Sequence, residues 1–125
     1  MSKQKILVVE DEVSLLKLES ILLTTRGYQV FSMTNGRDAL ECIEKEKPDL
    51  VLLDVMLPGI DGFEVCRQIK SNPLTSHILV VLLTAKKSQE DVAMGKEVKA
   101  DCYITKPFQS AMVIRTIQRL LMDAF

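Results

Sequence analysis

The chain has 125 residues, of which 47% are hydrophobic and 26% are charged, and its formal net charge is −1. This length and composition indicate one folded globular domain with a buried core and argue against disorder. The nearly neutral charge excludes a broad basic field for nucleic acid and a polybasic membrane anchor. We therefore expect a single domain over residues 1–125 that binds neither nucleic acid nor membrane directly.

The amino-terminal residues do not form a secretory signal. Their apolar run is short, and Glu10-Asp11-Glu12 stands where a small-residue cleavage site would be required. No apolar run approaches the roughly 20 residues that span a bilayer. The few possible soft-metal ligands are far apart and include no C-x-x-C, which argues against a zinc site or a disulfide framework: Cys42, Cys66, Cys102 and His77. We expect a cytoplasmic protein with free thiols.

In the first half of the chain, short apolar runs alternate with segments of helical period. The first helix places Leu15, Leu18, Ile21 and Leu22 at helical spacing and stops at Gly27. In chain order we predict a strand in Lys5–Glu10, a helix over Val13–Arg26, a strand over Tyr28–Met33, and a helix that opens at Asn35-Gly36 and ends before Pro48.

The second half repeats this alternation. Asp61 and Ser88 precede helical segments as amino-terminal caps, because their side chains can accept hydrogen bonds from free backbone amides. We predict a strand over Leu50–Leu53, a helix over Asp61–Ser71, a strand over Ile78–Leu83, a helix over Ser88–Val98, a strand over Cys102–Ile104 and a helix over Gln109–Leu121.

The predicted strands are continuous apolar runs, which is typical of strands covered on both faces. Five βα units with short connections predict an α/β doubly wound, flavodoxin-like (βα)5 fold, in which a five-stranded parallel sheet carries helices on both faces. Ligands of such folds bind beyond the carboxyl ends of the strands. With strand order 2-1-3-4-5, the first and third strands are neighbours, and the residues that follow them lie close together.

Charged and hydroxyl side chains follow four of these strands. Glu10 and Asp11 follow the first, Asp54 the third, Thr84 the fourth and Lys106 the fifth. Several carboxylates in one cleft repel each other, so the fold needs a cation there, and all-oxygen ligands suit Mg²⁺. The lysine and the hydroxyl can hold phosphoryl oxygens, and an aspartate can itself be the nucleophile. The set predicts Mg²⁺-assisted phosphoryl transfer.

Essentially the whole chain resembles the receiver domain of two-component response regulators, the CheY-like family. Four stretches, each at the end of a predicted strand, carry the resemblance: Ile6-Leu7-Val8-Val9-Glu10-Asp11-Glu12, Val51-Leu52-Leu53-Asp54-Val55-Met56-Leu57-Pro58-Gly59-Ile60-Asp61-Gly62, Leu83-Thr84-Ala85 and Tyr103-Ile104-Thr105-Lys106-Pro107-Phe108. Each stretch alone is weak, but their occurrence in this order is specific.

The resemblance implies a role for each pocket residue. Asp54 accepts a phosphoryl group from a phosphohistidine of a sensor histidine kinase or histidine phosphotransfer protein. Asp11 and Asp54 ligate Mg²⁺ with the backbone carbonyl of Met56, and Glu10 acts mainly through metal-bound water. Lys106 pairs with the phosphoryl group, and its bond to Pro107 is cis in this family.

The resemblance also implies a switch. Thr84 shifts to hydrogen-bond the phosphoryl group and Tyr103 rotates inward behind it. This changes the face made by the fourth helix, the fifth strand and the fifth helix, which binds a downstream protein or a fused output domain. The domain is then not a conventional enzyme, although it catalyses its own phosphorylation and dephosphorylation, and phosphorylation can drive dimerisation.

Two residues depart from the family pattern near the fourth helix. Lys99 stands where a glycine commonly supplies a left-handed turn, and a lysine in that conformation costs on the order of 1 kcal/mol. We therefore expect the end of this helix to be shifted or strained. Gly95 inside the helix costs a similar ~1 kcal/mol relative to alanine. Together these residues predict a soft fourth helix.

Three other functions compete with the switch. A receiver fold can serve as a constitutive docking module that is rarely phosphorylated. An aspartate-nucleophile phosphatase would place a second aspartate at Met56, and a flavodoxin would need a phosphate-binding loop where Glu10-Asp11-Glu12 stands. A stand-alone regulator and a receiver excised from a longer protein both remain open, as do the cognate kinase and the lifetime of the phosphorylated state.

Overall fold

The computed structural model describes residues 3–123, so the two residues at each end of the predicted 1–125 domain lie outside the described range. Strands and helices alternate along it. The strands are β1 (Lys5–Val9), β2 (Gln29–Met33), β3 (Leu50–Leu53), β4 (Leu79–Thr84) and β5 (Cys102–Thr105). The helices are α1 (Val13–Thr24), α2 (Gly36–Glu46), α3 (Gly62–Ser71), α4 (Gln89–Glu97) and α5 (Ser110–Asp123).

The sheet confirms the predicted doubly wound α/β fold. Its order is β2-β1-β3-β4-β5, and every neighbouring pair is parallel. In the central pair, Val9 lies opposite Leu53. The residues that follow this pair, Glu10 and Asp54, therefore leave the sheet side by side at the carboxyl edge.

Two apolar cores, one on each face of the sheet, explain the continuous apolar runs. The strand residues alternate between the two faces, so Val51 and Leu53 belong to one core while Leu50 and Leu52 belong to the other. Helices α2 and α3 cover the first core, and α1 and α5 cover the second. Because both faces are covered, residues 6–9 of β1 and all of β3 are buried and apolar.

The inward face of α1 differs from the spacing expected from its leucines. Leu18 and Ile21 are 48% and 60% exposed, whereas Leu16, Glu19 and Leu23 are buried. The helix is apolar around most of its circumference, so apolar spacing alone does not select the face that packs on the sheet. The buried face contains a glutamate, Glu19. A charged residue is not expected on the packed face of a helix, so the sequence did not indicate this face.

Side-chain caps begin three of the helices at or next to the predicted positions. Asn35 accepts from the amide of Asp38 at 2.9 Å, and Asp61 accepts from the amide of Glu64 at 2.9 Å. Ser88 forms a reciprocal capping box with Asp91 at the start of α4. These caps satisfy amides that have no partner inside their helix, and they fix where each helix leaves its preceding loop.

The end of α4 is shortened and strained, as predicted. The helix ends at Glu97, and Lys99 adopts a left-handed conformation with φ of 66°. A side chain in this region costs on the order of 1 kcal/mol relative to glycine. The turn nevertheless bonds back to the helix, because the Ala100 amide donates to the Gly95 carbonyl at 3.0 Å.

The cysteines are free, as expected. Cys42 and Cys66 are buried and Cys102 is half-buried. Burial raises the pKa of the Cys66 thiol to about 12, so this group stays protonated and packs as a small apolar side chain. Among the described residues, no helix has the length and apolar character needed to cross a membrane.

Candidate functional site

Three carboxylates meet at the carboxyl edge of the sheet. Glu10 follows β1 and Asp54 follows β3, and their residues are only 3% and 5% exposed, whereas Asp11 is exposed. One carboxylate oxygen from each of the three lies within 4.8 Å of the other two. The parallel register of β1 and β3 produces this convergence, as the strand pattern predicted.

Lys106 supplies the opposite charge. Its Nζ lies 2.9 Å from Glu10 Oε1 and 3.0 Å from Asp54 Oδ2, so one ammonium bridges two carboxylates. The backbone directs it there, because the Lys106 amide donates to the Thr84 carbonyl at 2.8 Å. The Lys106-Pro107 bond is cis, as expected. We call Glu10, Asp11, Asp54 and Lys106 the strand-end pocket.

Burial and charge pairing oppose each other in this pocket. Burial raises the pKa of the Glu10 carboxyl, and its contacts with Lys106 and with the Glu12 amide offset part of that rise. Burial alone would lower the pKa of the Lys106 ammonium, but its hydrogen bonds to Glu10 and Asp54 raise it above its ordinary value. Lys106 therefore stays charged at neutral pH and compensates the carboxylates.

A close backbone approach fixes the position of Asp54. The Gly62 amide donates to the Val55 carbonyl at 2.9 Å, and a Cβ on Gly62 would lie 2.2 Å from the Asp54 backbone oxygen. Only glycine permits α3 to begin this close to the loop after β3. The Met56 amide donates to Asp54 Oδ1 at 3.1 Å, so both carboxylate oxygens of Asp54 are oriented.

The two predicted switch residues contact the same residue of the β4–α4 loop, Lys86. Thr84 is fully buried at the end of β4, and its Oγ1 accepts from the Lys86 amide at 3.2 Å. The Tyr103 hydroxyl donates to the Lys86 carbonyl. Thr84 and Tyr103 thus hold the residue between the pocket and α4 from two sides.

Glycine is required in α4 for the position of the Tyr103 ring. A Cβ on Gly95 would lie 2.6 Å from Tyr103 Cδ2. The Tyr103 ring also stacks with Phe63 of α3: the ring centroids lie 6.4 Å apart, and the planes differ by 19°. Gly95 therefore has a packing role beyond the helix weakening expected from the sequence.

Comparisons with known proteins agree with this geometry. The family described as "Response regulator receiver domain" matches residues 6–118. The chain belongs to this family. The receiver is 45% identical over 118 residues to the alkaline phosphatase synthesis transcriptional regulatory protein PhoP of Bacillus subtilis (strain 168), covering 94% of this chain and 48% of that protein. The chain thus spans about half the length of this relative.

Solved receivers share its fold. A CheY-like response regulator receiver domain protein from Methanospirillum hungatei JF-1 superposes with a TM-score of 0.93 at 27% identity, covering 98% of this chain and 97% of that one. The response regulator DrrB, a Thermotoga maritima OmpR/PhoB homolog, superposes with a TM-score of 0.88 at 36% identity, covering 98% and 54%. The chain is therefore a receiver module of two-component signalling.

The pocket of this receiver fits a hard divalent cation. Its three carboxylates offer only oxygen ligands, which is the donor set that Mg²⁺ prefers. Asp11 is free for this task, because Glu12 rather than Asp11 occupies the amino-terminal cap of α1. The cluster can thus hold a metal ion, and the Met56 carbonyl stays a predicted ligand.

The sequence reasoning missed one buried carboxyl, Glu19 of α1. It is 6% exposed and belongs to the inward face of the helix, between Leu16 and Leu23. The spacing of these three residues, i, i+3 and i+7, was the available signal, since it marks one face of a helix. The site residues that sequence reasoning selected lie together in the pocket or at the loop behind it.

Proposed function

We propose that this receiver is a phospho-acceptor switch of a two-component phosphorelay, with Asp54 as the acceptor and Mg²⁺ as the required cation. The observation that carries the proposal is the single Lys106 ammonium that bridges Glu10 and Asp54 beside Asp11. Three carboxylates and one lysine leave an excess of negative charge. A pocket of this kind is completed by a divalent cation and a phosphoryl group.

In the proposed reaction, an Asp54 carboxylate oxygen attacks the phosphorus of a phosphohistidine on a sensor histidine kinase or a histidine phosphotransfer protein. The new O–P bond forms as the P–N bond breaks, and the imidazole leaves with the electron pair of that bond. Lys106, which bridges Glu10 and Asp54 before the transfer, then contacts a phosphoryl oxygen and stabilises the charge that grows on the transferred group. Hydrolysis of the acyl phosphate by water resets the domain.

Asp11, Asp54 and the Met56 carbonyl would hold the metal directly, and Glu10 through bound water. When bound, Mg²⁺ neutralises the carboxylates and the phosphoryl oxygens. The chain's own residues orient the acceptor: the Met56 amide binds one Asp54 oxygen and Lys106 the other. Gly62 keeps the backbone of Asp54 in place.

In this proposal the signal leaves the pocket through the backbone of Lys86, whose amide contacts Thr84 and whose carbonyl contacts Tyr103. A phosphoryl group that takes the Thr84 hydroxyl as donor breaks its contact with the Lys86 amide, and Tyr103 holds the carbonyl of the same residue. The loop and the α4–β5–α5 face then favour a second arrangement, by as much as the phosphoryl group binds the two arrangements differently. A solved receiver domain, that of DrrB, is BeF3-activated; it is 35% identical to this chain with a TM-score of 0.86, and by similarity it supports an activated state of this receiver.

We propose that the α4–β5–α5 face binds a downstream protein, a fused output domain or, when phosphorylated, a second receiver. The receiver domain would occupy residues 1–125 and work in the cytoplasm, where histidine kinases present their phosphohistidines. It would not be a conventional enzyme, since the group that it transfers ends on its own Asp54. A constitutive docking module with the same fold is the alternative, and it has no use for the charge excess around Lys106.

The rate of phosphorylation by acetyl phosphate with Mg²⁺ tests the role of Lys106. Lys106→Met removes a charged donor aimed at the transferred group, so the rate should fall about 100-fold. Lys87→Met, at an exposed lysine of the β4–α4 loop, is the matched control and should react like the unaltered protein. Equal rates for the two variants would exclude the proposed role of Lys106.

A further inference from the structure

Glu19 is a buried carboxyl that the proposed phosphorylation does not use. It lies on the sheet-facing side of α1 and is 6% exposed. Among the described residues, its Oε2 has no hydrogen-bond partner. A buried carboxylate without a partner is costly, because water no longer solvates its charge. Its surroundings therefore decide which protonation state this group adopts.

The carboxyl borders a small cavity of about 10 Å³ between α1, β3 and the start of α5. Apart from Glu19 and the neutral Ser110, this wall is apolar, and we call it the α1–α5 seam: Leu22, Leu23, Leu52, Phe108, Val113 and Ile114. The residues that line this wall include no cation, and none of their amides donates a hydrogen bond to Glu19 Oε2. The uncharged carboxylic acid is the form that such a seam accepts.

The charged groups that act on Glu19 lie in the strand-end pocket, and none is hydrogen-bonded to it. The two carboxylates of Glu10 and Asp54 disfavour a further negative charge, and Lys106 favours it. The first turn of α5 presents the positive end of a helix dipole, which also favours an anion. Burial outweighs both favourable contributions and, together with the neighbouring carboxylates, raises the pKa of Glu19 to about 8.

We propose that Glu19 is a proton-binding site that makes the packing of α1 against the α1–α5 seam depend on pH. With its proton, the carboxyl stays in the cavity. Without it, the carboxylate must reach water, and the seam opens around Phe108. Phe108 stands two residues after Lys106, so the segment that carries the pocket lysine is the part expected to move.

The sign of the effect follows from linkage. The pKa of Glu19 is about 8 in the folded chain and has an ordinary value of 4.5, so the folded state binds more protons between these pH values. Stability is therefore highest at the acidic end and falls as pH rises through the folded pKa. One proton that is held only by the folded state changes the unfolding equilibrium constant about tenfold per pH unit.

Denaturant unfolding of the full chain between pH 5 and pH 9, without divalent cations, measures this dependence. The ratio of the unfolding constants of the unaltered protein and Glu19→Gln should rise about tenfold per pH unit up to about pH 8 and then level off. Dividing the two constants cancels the titrating groups that do not interact with Glu19. Glu44→Gln, at an exposed glutamate of α2, should give a ratio that does not change with pH.

A second measurement keeps the test valid if Glu19→Gln does not fold. The side-chain carboxyl carbon of Glu19 in the unaltered protein should titrate in NMR with a midpoint near 8. The amide signals of Phe108 and Ser110 should move with the same midpoint. A midpoint near 4.5, or a flat ratio in the unfolding series, would overturn the proposal. Either result leaves the phosphorylation of Asp54 untouched, because neither measurement involves it.

Discussion

The strand-end pocket and the α1–α5 seam both bury carboxyl groups, but they treat the charge in different ways. In the pocket, Glu10 and Asp54 share the Lys106 ammonium at 2.9 and 3.0 Å. In the seam, Glu19 faces an apolar wall and has no partner for its Oε2 among the described residues. The first region keeps its negative charge by pairing, and the second avoids negative charge by keeping a proton.

The position of each region in the fold explains this difference. The pocket lies beyond the carboxyl ends of the strands, where loops meet and where the lysine that follows β5 reaches the carboxylates that follow β1 and β3. The seam lies on a face of the sheet, where strand side chains are apolar and a helix packs directly against them. Loops can supply charged partners and admit ligands, whereas a packed face supplies neither.

Removing the pocket lysine should make the pocket resemble the seam, and this is the largest stability effect that we expect. In Lys106→Met, two buried carboxylates lose their cation, which should lower the free energy of unfolding by about 3 kcal/mol at pH 8 without divalent cations. The loss should grow as pH rises, because burial raises the pKa of the Glu10 carboxyl and the contact with Lys106 that opposes this rise is gone, so folded Glu10 holds its proton more tightly than unfolded Glu10.

Denaturant unfolding of Lys106→Met at pH 5 and pH 8 checks this prediction, with Lys87→Met as the control. The control variant should lose nothing measurable at either pH, since its side chain is exposed. A Lys106→Met variant that is as stable as the control at pH 8 would show that the bridge contributes nothing. The proposed difference between the strand-end pocket, which pairs its charges, and the α1–α5 seam, which avoids charge, would then be wrong.

The sequence predicted the pocket better than the seam, for physical reasons. Asp54 and Lys106 follow apolar strands, and parallel strands bring their carboxyl ends to one edge, so register and order were sufficient. The inward face of α1 was not predictable in this way. Leu18 and Ile21 are as apolar as Leu16 and Leu23, and the packing of α1 on β1 and β3 decides among them.

The partners of Tyr103 were also beyond the sequence. Its apolar body and polar tip favoured a switch role, but its fit over Gly95 and its bond to the Lys86 carbonyl depend on how α4 lies against β5. The strain at the end of α4, where Lys99 is left-handed, was in contrast expected, because a glycine commonly stands at this position in the family pattern. A local backbone requirement appears in the sequence, whereas a contact between distant segments requires the fold.

A neutral hydrogen bond beside the pocket should matter least, which sharpens the contrast with the charged groups. Tyr103→Phe removes the hydroxyl that donates to the Lys86 carbonyl and keeps the ring. The free energy of unfolding should fall by about 1 kcal/mol, the usual net value of one neutral hydrogen bond. The Lys86 amide signal in NMR should shift at the same time, because Lys86 loses one of its two hydrogen bonds to Thr84 and Tyr103.

Tyr28→Phe is the matched control, because it removes a tyrosine hydroxyl just before β2, outside the β4–α4 loop. It should leave the free energy of unfolding within about 0.5 kcal/mol of the unaltered protein. Equal effects of the two substitutions would mean that Tyr103 does not hold the loop, and the proposed route from Thr84 to α4 would lose its second contact.

The proposed switch depends most on Asp54 as the phosphoryl acceptor. Intact mass measured after incubation with acetyl phosphate and Mg²⁺ tests it directly, beside Asp54→Asn and an EDTA control. We predict a gain of one phosphoryl group that disappears both in the variant and with EDTA. A folded protein that gains no mass, or an Asp54→Asn variant that gains as much as the unaltered protein, would contradict the account.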